Sequence, residues 1–427
     1  MRARIPEVSQ SRVVIIGGGF AGLNLLRKLR RKNLQIVLID QYNYHQFQPL
    51  FYQVATSGLE PSSISFPFRR IFQSHKNIFI RITQVTSIDV ENKSIITPIG
   101  HIKYDYLVIA AGVETNYFGN EQIKEKSFPM KSVPEALLIR NTLLQNLENA
   151  LITDDSDERT GLLNLVIIGG GPTGVELSGA IAEMKKFVLP KDYPELNFDE
   201  MKIYLVEAMP GLLNSFSKKS SERATQYLNE LGVNVLVNKK VSDYDGKNVM
   251  FADNTVIRSN MMIWTAGVSA AKLEGLPKES LGRGGRILVN RNNMVNGFTD
   301  IFALGDIALM TEEAYPNGHP QVAQVAIQQA KQLANNFCNM RDKKKLIPFS
   351  YKDKGSMATV GRNLAVAELK GLSIHGFLAW LIWMFVHLIS LLGFKNKVII
   401  FINWIWNYIT YDQSLRLIIK AASKPKA

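Results

Sequence analysis

The sequence predicts an α/β protein with two parallel βαβ units of one design and an apolar, basic helical tail. Three observations carry this. A glycine-cornered pattern occurs twice in the 427 residues, the second copy beginning 152 residues after the first. In each copy the next apolar run ends on an acidic residue. Beyond Arg341 the chain turns both basic and strongly apolar.

In the first unit, Arg12 to Ile16 is an apolar run that reads as a buried strand. Gly17-Gly18-Gly19-Phe20-Ala21-Gly22 follows, then a helical stretch from Leu23 to Arg31, then a strand Ile36–Ile39 ending on Asp40. This GxGxxG spacing has a physical reason. Gly17 permits the tight turn, Gly19 lets a pyrophosphate approach the backbone, and Gly22 lets the helix sit close to the strand. The N-terminus of the following helix offers N–H groups and partial positive charge to phosphates. Asp40, 18 residues after Gly22, can accept hydrogen bonds from ribose hydroxyls. The run Tyr106 to Ala111 ends on Gly112, 95 residues after Gly17. A lone GxGxxG is often only a turn. Here the preceding strand, the following helix and the placed acid make it a nucleotide site.

The second unit repeats the order. Leu165–Ile168 is the strand, Gly169, Gly171 and Gly174 mark the corner, Glu176 to Met184 is helical, and the strand Lys202–Val206 ends on Glu207. Met261 to Ala266 ends on Gly267, 98 residues after Gly169. Retained glycines and acid argue against a duplicate that has lost its ligand. Glu207 would repel a 2′-phosphate, which favours NAD(H) over NADP(H). Two dinucleotide sites in one chain imply two dinucleotides, and hydride transfer between them requires a flavin; FAD and NADH are the expected pair. Glu176 is expected in the first helical turn. It either stabilises the helix dipole or positions the nicotinamide or acceptor and handles a proton.

The other segments follow in order. Val133 to Leu151 is expected as a helix, and Asp154–Glu158 as an acidic turn. Lys185–Glu200 is expected as a surface insert. Segment 286–306 should bring strands and Ala303-Leu304-Gly305-Asp306, where Asp306 either binds a ribityl hydroxyl or caps a helix. Gln321–Phe337 should be helical, with Gln324 and Gln328 on one face and the small Ala323 and Ala326 beside them. Such a pair is either an exposed polar face or a site beside a flat ring. His45, His319, His375 and His387 read as structural. The expected domains are 1–127 with 286–340 for FAD, 128–285 for NADH, and 341–427 for membrane association.

Composition excludes several classes. Cys338 is the single cysteine, so there is no intrachain disulfide, no CxxC pair and no Cys-rich zinc site. No HxxxH or HExxH occurs, and no metal is expected. The net charge is +13, and residues from Arg341 onward contribute +10 of it. A basic, apolar tail points to an anionic membrane surface; no nucleic-acid motif accompanies it, and nucleic acid is not an expected partner. The first apolar run begins at Val13 with no signal-peptide pattern before it, so the body is expected to stay on its side of synthesis. Leu372 to Phe394 is 23 residues without charge, about 34 Å as a helix. It is long enough to span a bilayer. The embedded histidines, Trp380, Trp383, Trp404, Trp406 and nearby lysines favour helices lying in the interface.

With these residues in view, the chain resembles the type II NADH:quinone oxidoreductases over nearly its whole length. The specific pieces are Gly17–Gly22, His45-Gln46-Phe47-Gln48-Pro49-Leu50-Phe51-Tyr52-Gln53-Val54-Ala55, the run Gly169–Glu176, Trp264–Val268, Ala303–Asp306 and the AQxAxQ run Ala323–Gln328. The resemblance implies a two-dinucleotide-binding flavoprotein. FAD would sit at Gly17, Gly19, Phe20, Ala21, Gly22, Asp40, Ala111, Gly112, Asp306, Ala323, Gln324 and Lys397. NADH would sit at Gly169, Gly171, Gly174, Glu176, Glu207, Ala266 and Gly267. Glu176, Gln324 and Gln328 would serve catalysis, the two glutamines on the quinone side. It further implies hydride transfer from NADH to FAD, then two electrons to ubiquinone or menaquinone without ion pumping. Attachment would be monotopic, on the cytoplasmic face of the inner membrane, with the lipid surface and a second copy of the chain among its partners. A sulfide:quinone oxidoreductase is disfavoured by the lone Cys338, and a ferredoxin reductase by the tail. A non-catalytic flavin-binding membrane regulator is the alternative of a different class.

Overall fold

The computed structural model describes residues 3–369, 371–411 and 415–419. The chain forms two compact units. One comprises residues 1–46, 65–114 and 268–353, the other 47–64, 115–267 and 354–427.

The first unit is built on a five-stranded parallel sheet. Its order is Ile301–Ala303, Tyr106–Ile109, Arg12–Ile16, Gln35–Asp40, Ile78–Ile82. Val13, Val14 and Ile15 are fully buried, as a continuous apolar run covered on both faces must be. The strand Ile301–Ala303 closes the sheet from beyond the second glycine corner, which makes this unit discontinuous in sequence. The glycine-corner helix starts at Phe20 and runs to Leu29. It packs against the helix Ala323–Arg341.

The second unit repeats the arrangement: Phe128–Pro129, Met261–Trp264, Leu165–Ile168, Ile203–Val206, Val233–Leu236, all parallel. Its glycine-corner helix is Pro172–Phe187. Gly179 lets that helix lie directly on the strand Ser356–Gly361; a Cβ there would stand 1.6 Å from the Val360 carbonyl oxygen.

Several elements differ from the sequence expectation. Residues 154–158 are not a turn: Asp155 caps the helix Ser156–Leu163, accepting from the N–H groups of Asp157 and Glu158. The segment 185–200 is only partly a surface excursion. The corner helix continues to Phe187, Val188 and Leu189 are buried, and the Lys185 ammonium donates to the Met201 carbonyl at 2.7 Å. The uncharged run 372–394 is not one helix. It splits into the strand Leu372–His375 and the helix Phe377–Ser390, separated by Gly376 at φ +71°, and Gly393 at φ +73° precedes the helix Phe394–Thr410. Glycine tolerates those left-handed angles and so allows both breaks. Among the described residues no helix is long and apolar enough to cross a membrane. The tail also belongs to the second compact unit rather than standing apart. Its hairpin carries a small core of Ala365, Ala367 and Ala379, and the two tail helices bury Trp383, Ile400 and Trp404.

Candidate active site

In the first unit, Gly17 takes φ +95°, and a Cβ on Gly22 would lie 1.9 Å from the Gly17 carbonyl oxygen. The space over Gly19 is open. The helix Phe20–Leu29 begins with no side-chain cap and no acid in its first turn, so its leading N–H groups can address an anion. Asp40 ends its strand. One of its carboxylate oxygens accepts from the Gly18 N–H at 2.6 Å and the other from the Tyr42 N–H at 2.8 Å. Burial raises its pKa despite these bonds.

His45, read from sequence as structural, fastens this corner. Its Nδ1 lies 2.9 Å from the Gly18 carbonyl, which can only accept, so Nδ1 carries the proton. Burial lowers its pKa to about 4, which keeps the ring neutral. No periodicity in the sequence singles it out. Gly305 packs against Ala21 and Ala326, and its N–H donates to the buried Gln329 amide oxygen at 2.7 Å. Gln329 was missed because only its neighbours matched the glutamine spacing. Gln328 both donates to and accepts from the Lys352 backbone, at 2.9 and 3.0 Å, and Gln324 reaches Asp353 at 3.5 Å. Ala323 opens their helix. Asp306 lies in a short 3₁₀ turn, its carbonyl accepting from Gln321. Ala111 and Gly112 follow the strand Tyr106–Ile109, with open space over Gly112.

In the second unit the corner recurs. Gly169 takes φ +108°, and a Cβ on Gly174 would lie 2.0 Å from the Gly169 oxygen. Glu207 accepts from the Gly170 N–H at 2.6 Å and the Met209 N–H at 2.8 Å. A cavity of about 1240 Å³ opens here, with Gly169, Gly171, Glu207, Ala266, Gly267 and Lys240 in its wall.

The same helix carries Glu176, one turn later than the sequence placed it, and this carboxyl is buried. Its Oε1 accepts from Trp383 Nε1 at 3.2 Å and from the Thr359 N–H at 3.4 Å. Burial raises its pKa to about 8, so it holds a proton at neutral pH. Trp383 stacks on His387 with ring centroids 4.1 Å apart and meets the Tyr52 ring edge at 6.3 Å. Trp404 donates to Gln53, and Gln53 donates to the Tyr52 hydroxyl. Tyr52, Thr359, Trp383 and Trp404 were not singled out as site residues from sequence. Lys397 bridges the two tail helices by donating to the Ile389 carbonyl at 2.6 Å.

The sequence profile of the pyridine nucleotide-disulphide oxidoreductases matches residues 11–330, and that of the NDH2 C-terminal domain matches residues 354–410. The type II NADH:quinone oxidoreductase Ndh of Mycobacterium tuberculosis is 38% identical over 411 residues, covering 92% of this chain and 87% of that protein. The chain belongs to the type II NADH:quinone oxidoreductase family. An internal alternative NAD(P)H-ubiquinone oxidoreductase of Arabidopsis thaliana mitochondria is 30% identical over 94% of this chain and 85% of its own length. The fold is that of the NDH2 of Plasmodium falciparum solved with NADH: TM-score 0.87, 23% identity, 96% of this chain and 100% of that one covered. A sulfide:quinone oxidoreductase of Aquifex aeolicus is less similar, with TM-score 0.69 and 20% identity over 88% of this chain and 90% of its own.

Proposed function

We propose that this member of the family oxidises NADH and reduces a membrane quinone, with FAD as its resident cofactor, from the surface of a lipid bilayer. The observation that carries it is the pair of glycine corners, each closed by an acid that accepts from the residue after the first motif glycine. The first corner fits FAD: the open face over Gly19, the uncapped helix start at Phe20 and Ala21, and the open side of Gly112 form a cradle that a side chain would fill. Bound FAD supplies acceptance of a hydride and its onward delivery as two electrons.

The protein's own residues bind, orient and hold protons. Gly17 to Gly22 would receive the FAD phosphates, with Asp40 toward a ribose and Asp306 toward the ribityl chain. Gly169, Gly171 and Gly174 would receive the NADH phosphates, with Glu207 toward the adenosine ribose and Ala266 and Gly267 at the cavity wall. The net reaction, NADH + H⁺ + quinone → NAD⁺ + quinol, takes one proton from water. Glu176 is the group that stores it, being protonated at neutral pH and wrapped by Trp383 and Thr359. Gln324 addresses the quinone, while Gln328 tethers the Lys352 segment.

The tail supports attachment to lipid. Each tail helix buries one i, i+4 pair, Ala379 with Trp383 and Ile400 with Trp404, and turns a set of large apolar side chains outward. Phe385 is 64% exposed, Ile409 72% and Phe394 83%. Together with Leu378, Ile389, Ile402 and Trp406 they form apolar faces suited to the interface rather than to a span. With the basic residues nearby, this favours the anionic cytoplasmic face of the inner membrane.

The purified protein should be yellow, should bleach with NADH without oxygen, and should recover its colour on adding a soluble quinone. A colourless protein, or colour that quinone does not restore, overturns the reading.

A further inference from the structure

Glu183 takes no part in the mechanism above. It stands seven residues after Glu176 on the helix Pro172–Phe187, which puts both carboxyls on one face, about 10 Å apart along the axis. Both line one cavity, together with Tyr52, Ala180, Thr359 and Trp383. Ala180 stands between them and its methyl group leaves the gap unfilled. The cavity offers about 130 Å³ to water. A water needs roughly 10–15 Å³ by the same measure, so several fit in the cavity that both carboxyls line.

Arg362 holds the far end. Its backbone N–H donates to Glu183 at 2.5 Å. Its guanidinium lies 3.2 Å from the Tyr411 ring centre and 4.9 Å from that of Tyr408, and donates to the Asn407 carbonyl at 2.5 Å. The cation is therefore fixed in place, and its charge acts on Glu183. Burial raises the Glu183 pKa, and the Arg362 N–H and charge oppose that rise. The other ionisable groups of the cavity wall are Tyr52, held protonated by burial, Tyr408 of the last helix and Tyr411 just beyond its end. The helix Phe377–Ser390 faces the cavity with Trp380, Trp383 and Met384, and His387 behind Trp383 is kept neutral by burial, its pKa about 4.

We propose that Glu183 is the proton relay that reloads Glu176 through water in this cavity, with Arg362 as the residue that positions it. The proposal rests on the NADH:quinone reading and names how that reaction draws its solvent proton. The hydride brings one hydrogen nucleus and both electrons to the acceptor. The Glu176 carboxyl gives the second proton and becomes a carboxylate. An O–H bond of Glu183 then breaks, protons shift along the waters, and an O–H bond forms on Glu176. The Glu183 carboxylate, stabilised by Arg362, takes a proton from solvent. Neither carboxyl changes oxidation state.

The test uses the holoenzyme in stopped flow, with bleaching by NADH and recolouring by a soluble quinone followed separately from neutral to alkaline pH. Glu183→Gln should leave bleaching unchanged and slow recolouring by about 10²-fold at alkaline pH, the scale on which a placed proton donor acts. Added formate should restore the rate, and Glu183→Asp should keep most of it. Infrared absorption of the protonated carboxyl gives an independent measure: after a pH jump, Glu176 should regain its proton more slowly in Glu183→Gln. Recolouring and reprotonation both at the wild-type rate would overturn the relay. Arg362→Gln keeps the backbone N–H bond and removes the charge. It tests the proposal even if Glu183→Gln does not hold flavin, and should displace the pH profile of recolouring; an unmoved profile overturns the positioning role. A wild-type protein that quinone never recolours removes the parent reading instead, so the two failures are distinguishable.

Discussion

The two glycine corners close in the same way but are fastened differently. In both, the acid ending the second strand accepts from the N–H of the residue after the first motif glycine at 2.6 Å, Asp40 from Gly18 and Glu207 from Gly170. The carbonyl of that residue is where they part. Gly18 is bonded by the buried ring of His45, and a Cβ on Gly18 would press into Phe68. Gly170 is bonded by the backbone N–H of Leu213, and the neighbouring Asn214 and Ser215 line the large cavity. A buried side-chain bolt suits a site that keeps its ligand. A loop amide at the rim of a cavity suits one that exchanges it. The corner helices differ too. Two residues after the third glycine, the first carries Asn24, whose amide turns back to the Phe20 carbonyl, and the second carries the buried Glu176.

The largest effect should come from the third glycines. Gly22→Ala and Gly174→Ala each drive a methyl group into a backbone oxygen that cannot move aside, at a cost above the ~1–3 kcal/mol of ordinary overpacking. Gly22→Ala should give colourless protein. Gly174→Ala should stay yellow but no longer bleach with NADH. Absorbance spectra of the two variants decide it, and the reverse pattern would exchange the roles of the corners.

Next is Glu176→Gln. The folded-state pKa of Glu176, about 8, lies above the ordinary glutamate value of 4.5. The folded protein therefore binds more protons between those values, and stability falls as pH rises through that window. The variant should lose this slope and gain of the order of 4 kcal/mol over the wild type near pH 8. Denaturant titrations at several pH values measure it. The same variant should slow recolouring by quinone more than bleaching by NADH.

His45→Ala should weaken flavin retention by about 1–3 kcal/mol, the range for leaving a buried partner unsatisfied, and flavin release during dialysis reports it. The sign of its pH effect is opposite to that of Glu176. The folded His45 pKa of about 4 lies below the usual 6.5, so its contribution to stability is lost as pH falls through that interval. The variant should flatten the acid limb of the stability profile.

The smallest effect belongs to Glu207→Gln. It should shift the NADH-over-NADPH preference by about 1 kcal/mol, because Lys239 and Lys240 already stand at the same cavity. Comparing kcat/KM for the two nucleotides checks it. Equal wild-type values would remove the discriminating role of the acid.

Both corners were legible in the sequence because their cause is local. A turn that must admit a phosphate and a closely packed helix needs glycine at three fixed spacings, and a parallel strand buried on both faces must read as an apolar run. The tail's basic, apolar character was legible for the same reason. Its architecture was not. A stretch of 23 uncharged residues looks long enough for a span, yet Gly376 and Gly393 break it, and the absence of charge cannot reveal a backbone reversal. The surroundings of Glu176 lay further out of reach. Its hydrogen-bond partners Thr359 and Trp383 stand 183 and 207 residues away in sequence, and no spacing rule connects them. Removing the chain beyond Leu369 would therefore strip Trp383 and Trp404 from Glu176 and Gln53. Residue type could say that Glu176 was an acid on a helix near a glycine corner. Only the folding of a distant hairpin and two helices over it decided that this acid keeps its proton at neutral pH, because burial from water depends on what the whole chain brings to that point.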